Sequence, residues 1–84
     1  MNTKQRKTLS AISHDPLSGK IKWTDIESLL LSLGAEITEG KGSRVRIKLN
    51  GLRAVFHRPH PEKVTDKGAI KSVRVFLQRA GVSV

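Results

Sequence analysis

Cations and histidines are the residues of this chain whose types and spacing could support chemistry. Its 84 residues include 16 lysines and arginines but only 7 acidic residues, for a formal net charge of +9, and no cysteine. Disulfides and thiolate zinc sites are therefore excluded, and the three histidines lack the His-x-x-x-His spacing of a helical metal site, so we expect no metal and no cofactor. Such a charge is typical of a protein that binds a polyanion or an acidic partner, although it also serves solubility alone.

The most regular cation pattern lies in residues 44–57. Cations and aliphatic residues alternate from Arg44 to Leu49, which is the period of a half-buried strand. Asn50-Gly51 is the sequence of a two-residue hairpin turn, which predicts a second strand from Leu52 to His57. This turn fixes the register and divides the side chains between two faces. One face is apolar and carries Val45, Ile47, Leu49, Leu52, Ala54 and Phe56. The other, called the cationic face below, carries Arg44, Arg46, Lys48, Arg53, Val55 and His57.

The predicted register makes the cationic face costly to leave without a ligand. Lys48 is expected directly opposite Arg53, and like charges in that position destabilise an isolated sheet. A face that retains this repulsion is suited to holding an anion. The alternative is a solvated sheet surface with no ligand.

Caps and breakers predict the elements around the hairpin. A capping box, Thr24-Asp25-Ile26-Glu27, is expected to begin one helix just after Trp23. Asp66 is expected to cap the last helix, and Gly34 and Gly81 suit the left-handed residue that follows a helix. The predicted helices are 3–14, 24–33 and 67–80, and the predicted strands are 35–39, 44–49 and 52–57. We therefore predict an α+β fold in one domain, 1–84, with a helical extension at 1–19 and a core at 20–84.

Four short motifs in this order resemble the HicA family, the toxins of HicA–HicB toxin–antitoxin pairs. They are Leu33-Gly34 at a helix end, Gly42-Ser43 opening the hairpin, the loop Arg58-Pro59-His60-Pro61, and Ala80-Gly81-Val82 at the last helix end. The resemblance covers roughly Lys22 to Val82. It implies a fold like the double-stranded-RNA-binding domain, α-β-β-β-α, for the part after the N-terminal helix. It also implies cleavage of messenger RNA and inhibition by a HicB-like antitoxin.

The chain departs from the family pattern at one position. The family commonly has Gly-Ser-His at the start of the second strand, with that histidine taken as catalytic, and the matching residue here is Arg44. Arginine stays protonated in proteins and cannot act as a general base. We expect His57, opposite Arg44, to be the base in a metal-independent attack of a ribose 2′-OH on the adjacent phosphate, with Arg44 holding that phosphate. His60 is the second candidate acid or base, and the alternative for His57 is a phosphate contact alone.

The other candidate site residues are expected to hold RNA by its backbone. They are Ser43, Arg46, Lys48, Arg53 and Arg58. Because the aromatic content is only 4%, we expect recognition through phosphate, 2′-OH and shape rather than base stacking.

Three functions are compatible with the sequence. The first is an RNA endonuclease toxin neutralised by an acidic, HicB-like antitoxin. The second is a non-catalytic RNA-binding module of the same fold, which Arg44 favours, and the third is a basic face that serves only a protein partner. No apolar run approaches the roughly 18 residues that span a membrane, and the N-terminus lacks a signal-peptide pattern. We therefore expect the protein to be cytoplasmic, to bind RNA and not to associate with a membrane.

Overall fold

The computed structural model describes residues 1–59 and 63–84 of the chain. Three helices and three strands follow one another in the predicted order α-α-β-β-β-α. They are α1 (Thr3–Ser13), α2 (Trp23–Ser32), β1 (Glu36–Glu39), β2 (Arg44–Leu49), β3 (Leu52–His57) and α3 (Lys67–Arg79). His60, the second candidate acid or base, lies outside the described residues.

The three strands form an antiparallel sheet in the order β1-β2-β3. The predicted hairpin register is confirmed, because Leu49 pairs with Leu52 and Arg44 with His57. Asn50 and Gly51 have φ values of 51° and 82°, as a two-residue turn that matches the strand twist requires. The turn therefore sets which side chains lie on each face of the sheet.

The core lies between one face of the sheet and helices α2 and α3. Val45, Ile47 and Leu49 of β2 are at most 2% exposed and belong to the same buried cluster as Leu30 of α2 and Val73 of α3. The α+β prediction and its α-β-β-β-α arrangement, like that of the double-stranded-RNA-binding domain, are confirmed. The division into an extension at 1–19 and a core at 20–84 stays a prediction. No helix within residues 1–59 and 63–84 is long and apolar enough to cross a membrane.

Helix α1 packs on α2 and α3 and contacts no described strand. Its Ile12 is completely buried. Arg74 of α3 donates from Nε to the carbonyl oxygen of Ile12 at 2.7 Å and from Nη2 to that of His14 at 2.9 Å. These carbonyl groups at the end of α1 have no partner within their own helix, so Arg74 supplies the hydrogen bonds that the helix end leaves open.

The predicted capping box of α2 is wrong. The helix begins one residue earlier, at Trp23, and its N-cap Lys22 makes no side-chain capping bond. The Trp23 N–H donates to the carbonyl oxygen of Lys63 at 3.1 Å, and the indole N–H donates to the carboxylate of Glu27. Glu27 is thus held by a side chain instead of by the cap backbone. Trp23 is buried against Phe56, with ring centroids 5.9 Å apart.

Candidate functional site

The side of the sheet opposite the helices carries the cationic face. Strand β2 alternates exposed and buried residues from Arg44 to Leu49 without interruption. Because successive side chains of a strand point to opposite sides, burial of the aliphatic positions forces the cations outward. All members of the cationic face are exposed: Arg44, Arg46, Lys48, Arg53, Val55 and His57.

Strand β1 adds an acidic and a hydroxyl residue beside the cationic face. Glu36 pairs in register with Lys48, and Thr38 with Arg46. The sequence did not reveal these neighbours, because the connection between β1 and β2 is longer than two residues and does not fix a register by itself. Beyond them, Gly40 donates its N–H to the carbonyl oxygen of Arg44 at 2.9 Å. A Cβ on Gly40 would lie 3.1 Å from the Cβ of Arg44, so glycine permits this close approach.

The hydrogen-bond pattern determines how closely Arg44 and His57 lie. The N–H of Arg58 donates to the carbonyl oxygen of Ser43 at 2.8 Å, which marks Ser43 and Arg58 as a hydrogen-bonded pair. Bonded and non-bonded pairs alternate along an antiparallel ladder, so the next pair, Arg44 with His57, is non-bonded. The Cα atoms of such a pair are about 4.5 Å apart and their side chains are closer than in a bonded pair. The side chains of Arg44 and His57 therefore leave the sheet from directly opposed positions at one end of the cationic face.

The cations of this face are not neutralised by the rest of the described chain. Arg44, Arg46, Lys48 and Arg53 form no ion pair with any residue in 1–59 or 63–84. Arg46, Lys48 and Arg53 line a depression of about 500 Å³, together with Glu36 and Thr38 from β1. Clustered, exposed and unpaired cations raise the local concentration of anions. The geometry suits a ligand that carries several negative charges.

The side chain of Arg58 lies away from the cationic face. Its Nε donates to a Glu27 oxygen at 2.7 Å, and its Nη1 donates to the Glu39 carboxylate at 2.6 Å. The hydrogen bonds that Arg58 donates to Glu27 and to Glu39 raise its pKa above its already high ordinary value. Because Arg58 follows His57, strand alternation turns it towards α2 and away from the cationic face. Its proposed contact with RNA stays a prediction, and the structure gives its guanidinium two carboxylate partners.

Among the candidate residues, the structure brings Arg44, Arg46, Lys48, Arg53 and His57 together on one surface. Ser43 lies at the start of the hairpin, where its side chain is exposed and its carbonyl holds Arg58. His14 is the C-cap of α1, outside this surface. Within residues 1–59 and 63–84 there is no group of three or more His, Cys, Asp or Glu side chains that could hold a metal ion.

Comparison with known proteins gives one match. Residues 23–82 match the family model of the HicA toxin of bacterial toxin–antitoxin systems. This segment contains α2, the whole sheet and α3, so the match includes every residue of the cationic face. No curated protein and no solved structure matches the chain.

Proposed function

Because the chain belongs to the HicA toxin family, we propose that it is an RNA-binding toxin that cleaves messenger RNA and is neutralised by a HicB-like antitoxin. The observation that carries this proposal is the pairing of His57 with Arg44 on the cationic face. A base and a fixed positive charge lie side by side there, among further cations that can bind a polyanion. The same proposal places the protein in the cytoplasm, where messenger RNA is available.

The proposed reaction needs no metal. His57 accepts the proton of a ribose 2′-OH, whose oxygen then forms a bond to the adjacent phosphorus. The bond from phosphorus to the 5′ oxygen of the next nucleotide breaks, and that oxygen takes up a proton. Its proton comes from water or from His60. Arg44 donates hydrogen bonds to the phosphate oxygens and stabilises the negative charge that grows on them.

RNA binding is proposed to use the backbone more than the bases. Arg46, Lys48 and Arg53 lie in neighbouring positions of two strands and can contact successive phosphates. All three aromatic side chains of the chain, Trp23, Phe56 and Phe76, are buried and cannot stack on a base. Contacts to phosphate and 2′-OH are therefore the expected basis of affinity.

Purified protein mixed with defined RNA in EDTA tests the proposal. We expect cleavage products that end in a 2′,3′-cyclic phosphate and a 5′-hydroxyl, because the 2′ oxygen is the nucleophile. Products with a 5′-phosphate, or cleavage that depends on added divalent metal, would exclude this mechanism. Induction of the protein in cells should deplete messenger RNA and stop growth, and a variant without cleavage in vitro should do neither.

A second function is favoured by one specific observation. Arg44 occupies the position that corresponds to the usual family histidine, and it is fully charged and exposed on the cationic face. A chain that kept the fold and the cations but lost the base would bind RNA without cutting it. Salt-sensitive RNA binding with no cleavage in antitoxin-free preparations would support this second function and exclude the first.

A further inference from the structure

The outer edge of β3 has unused backbone hydrogen-bonding groups. Strand β3 pairs only with β2 among the described residues, so its other edge is open. Phe56, Ala54 and Leu52 form the bonded pairs with β2, as the Ser43–Arg58 pair establishes. The N–H and C=O groups of Arg53, Val55 and His57 therefore point away from β2. None of these groups makes a hydrogen bond to a residue in 1–59 or 63–84.

The side chains at this edge are mixed in character. Val55 is 56% exposed, although it is aliphatic and lies in the middle of the edge. Arg53 and His57 flank it on the same face, two residues away on each side. A valine offers nothing to a phosphate, so its exposure is not accounted for by RNA binding. Natural sheets protect such an edge with a bulge, a proline, a cover or charged side chains; residues 52–57 contain neither bulge nor proline, and Arg53 is the fixed charge at this edge.

We propose that the edge of β3 binds an added β-strand from an acidic protein partner. The partner's main chain would hydrogen-bond to Arg53, Val55 and His57. Its side chains on the exposed side would read acidic, aliphatic, acidic, so that carboxylates lie opposite Arg53 and His57 and an aliphatic group covers Val55. The proposal rests on the proposed function, in which an antitoxin inhibits the chain. Such a strand would place carboxylates beside the proposed base.

The positive charge of this edge favours an acidic partner over a second copy of the chain. An antiparallel pairing of two β3 edges centred on Val55 would join two cationic faces in one sheet, and each chain carries a net charge of +9 with its histidines neutral. Like charges directly opposite destabilise a strand pair, and opposite charges stabilise it. The edge is therefore protected against self-association and remains open to an acidic strand.

Substitution by proline separates the backbone contact from the side-chain contacts. At position 55 proline removes an N–H that points outward, which edge strands tolerate. Val55→Thr is the matched control, because it keeps the N–H and the β-branched shape. The probe is a stable hairpin peptide whose outer strand reads Glu-Thr-Val-Thr-Glu. The same peptide with lysine in place of both glutamates is the second control.

We expect saturable binding of the acidic peptide to the wild-type chain and to Val55→Thr. Val55→Pro should weaken it by roughly fivefold, since the single hydrogen bond lost with the N–H of position 55 is worth about 1 kcal/mol. The lysine peptide should not bind. Equal binding to the threonine and proline variants, or no binding of the acidic peptide at millimolar concentration, would overturn the proposal.

Amide hydrogen exchange on the unaltered chain gives an independent test if Val55→Pro does not fold. Without peptide, the amides of Arg53, Val55 and His57 should exchange quickly while those of Ala54 and Phe56 are protected. The bound acidic peptide should protect the amides of Arg53, Val55 and His57 from exchange. Protection elsewhere, with no change at these three amides, would contradict strand addition. Neither experiment contains RNA, so failure here is distinct from failure of the RNA cleavage assay.

Discussion

His57 and Arg44 have separate tasks in the proposed reaction, and substitution separates them. His57→Ala should abolish RNA cleavage, with a loss of about 10²- to 10⁴-fold in rate, because a general base contributes that much. Folding should be nearly unchanged, since the side chain is exposed and exposed substitutions cost about 0.5 kcal/mol or less. RNA binding should also persist, because four fixed cations remain on the face. Single-turnover cleavage and a separate binding assay measure the two effects.

His14→Ala is the matched control for this prediction. His14 is also exposed but lies at the end of α1, away from the cationic face. The His14→Ala variant should cleave RNA at the wild-type rate. If His57→Ala cleaves as fast as the wild type, the base is another group, and His60→Ala becomes the next variant to measure.

Arg44→His distinguishes a catalytic chain from one that has lost its base. If His57 is the base, this variant loses the charge that holds the phosphate, and cleavage should fall. If the chain binds RNA without cutting it, restoring the family histidine at position 44 should produce cleavage where the wild type has none. We expect the first result. Arg44→Lys serves as the control, because it keeps the positive charge and adds no base.

The composition of the cationic face could be predicted from the sequence because one turn determines it. Asn50-Gly51 permits a single loop length, and a shift by one residue would place every aliphatic side chain of β2 in water. The surroundings of Arg58 and the presence of Glu36 could not be predicted in the same way. Both depend on how α2 and β1 sit beside the hairpin, which local spacing does not specify.

At the level of elements, Arg74 should be the main polar connection between α1 and α3. Its guanidinium, with a side chain 17% exposed, bonds two carbonyl groups at the end of α1 and lies 3.2 Å from a carboxylate oxygen of Asp15. Arg74→Ala should lower the free energy of unfolding by about 2 kcal/mol, as expected for lost bonds to a charged donor that leave carbonyl groups unpaired. Urea unfolding should show a lower midpoint with the same slope.

Arg79→Ala is the control on the same helix. Arg79 is exposed and makes no side-chain hydrogen bond to the described residues. Its replacement should change stability by about 0.5 kcal/mol or less. Equal losses for Arg74→Ala and Arg79→Ala would mean that apolar packing around Ile12 and the polar contacts of α1 with α2 hold α1, without a contribution from Arg74.

Helix ends show where prediction from sequence succeeds and where it fails. Asp66 accepts from the N–H of Ala69 at 2.8 Å, as a local cap should. Glu27 was expected to make an equally local bond, but Trp23 and Arg58 hold its carboxylate instead. Asn50 also donates to the carbonyl oxygen of Ala80 at 2.7 Å and joins the hairpin turn to the end of α3. Contacts between distant parts of the chain override local preferences at these positions.

At the scale of the whole molecule, the position of the charges matters more than their number. Twelve of the 16 lysines and arginines lie outside the cationic face, including Lys67, Lys71 and Arg79 on α3. Net charge alone would let any of them attract RNA at long range. A defined binding surface requires that cations of the sheet contribute more than an equal number on the helices.

Two triple variants with the same net charge test this requirement. Replacing Arg46, Lys48 and Arg53 by alanine removes three cations from the sheet, and replacing Lys67, Lys71 and Arg79 by alanine removes three from α3. If RNA phosphates contact the cationic face, the sheet variant should bind RNA much more weakly. Its plot of log affinity against log salt concentration should be less steep by about 2, because each phosphate contact with single-stranded RNA contributes about 0.7. The α3 variant should keep a slope close to that of the wild type. Affinities measured from low to moderate salt for all three proteins give these slopes. The opposite ranking would place the RNA on the helical side, and His57 would then lie too far from the phosphates to be the base.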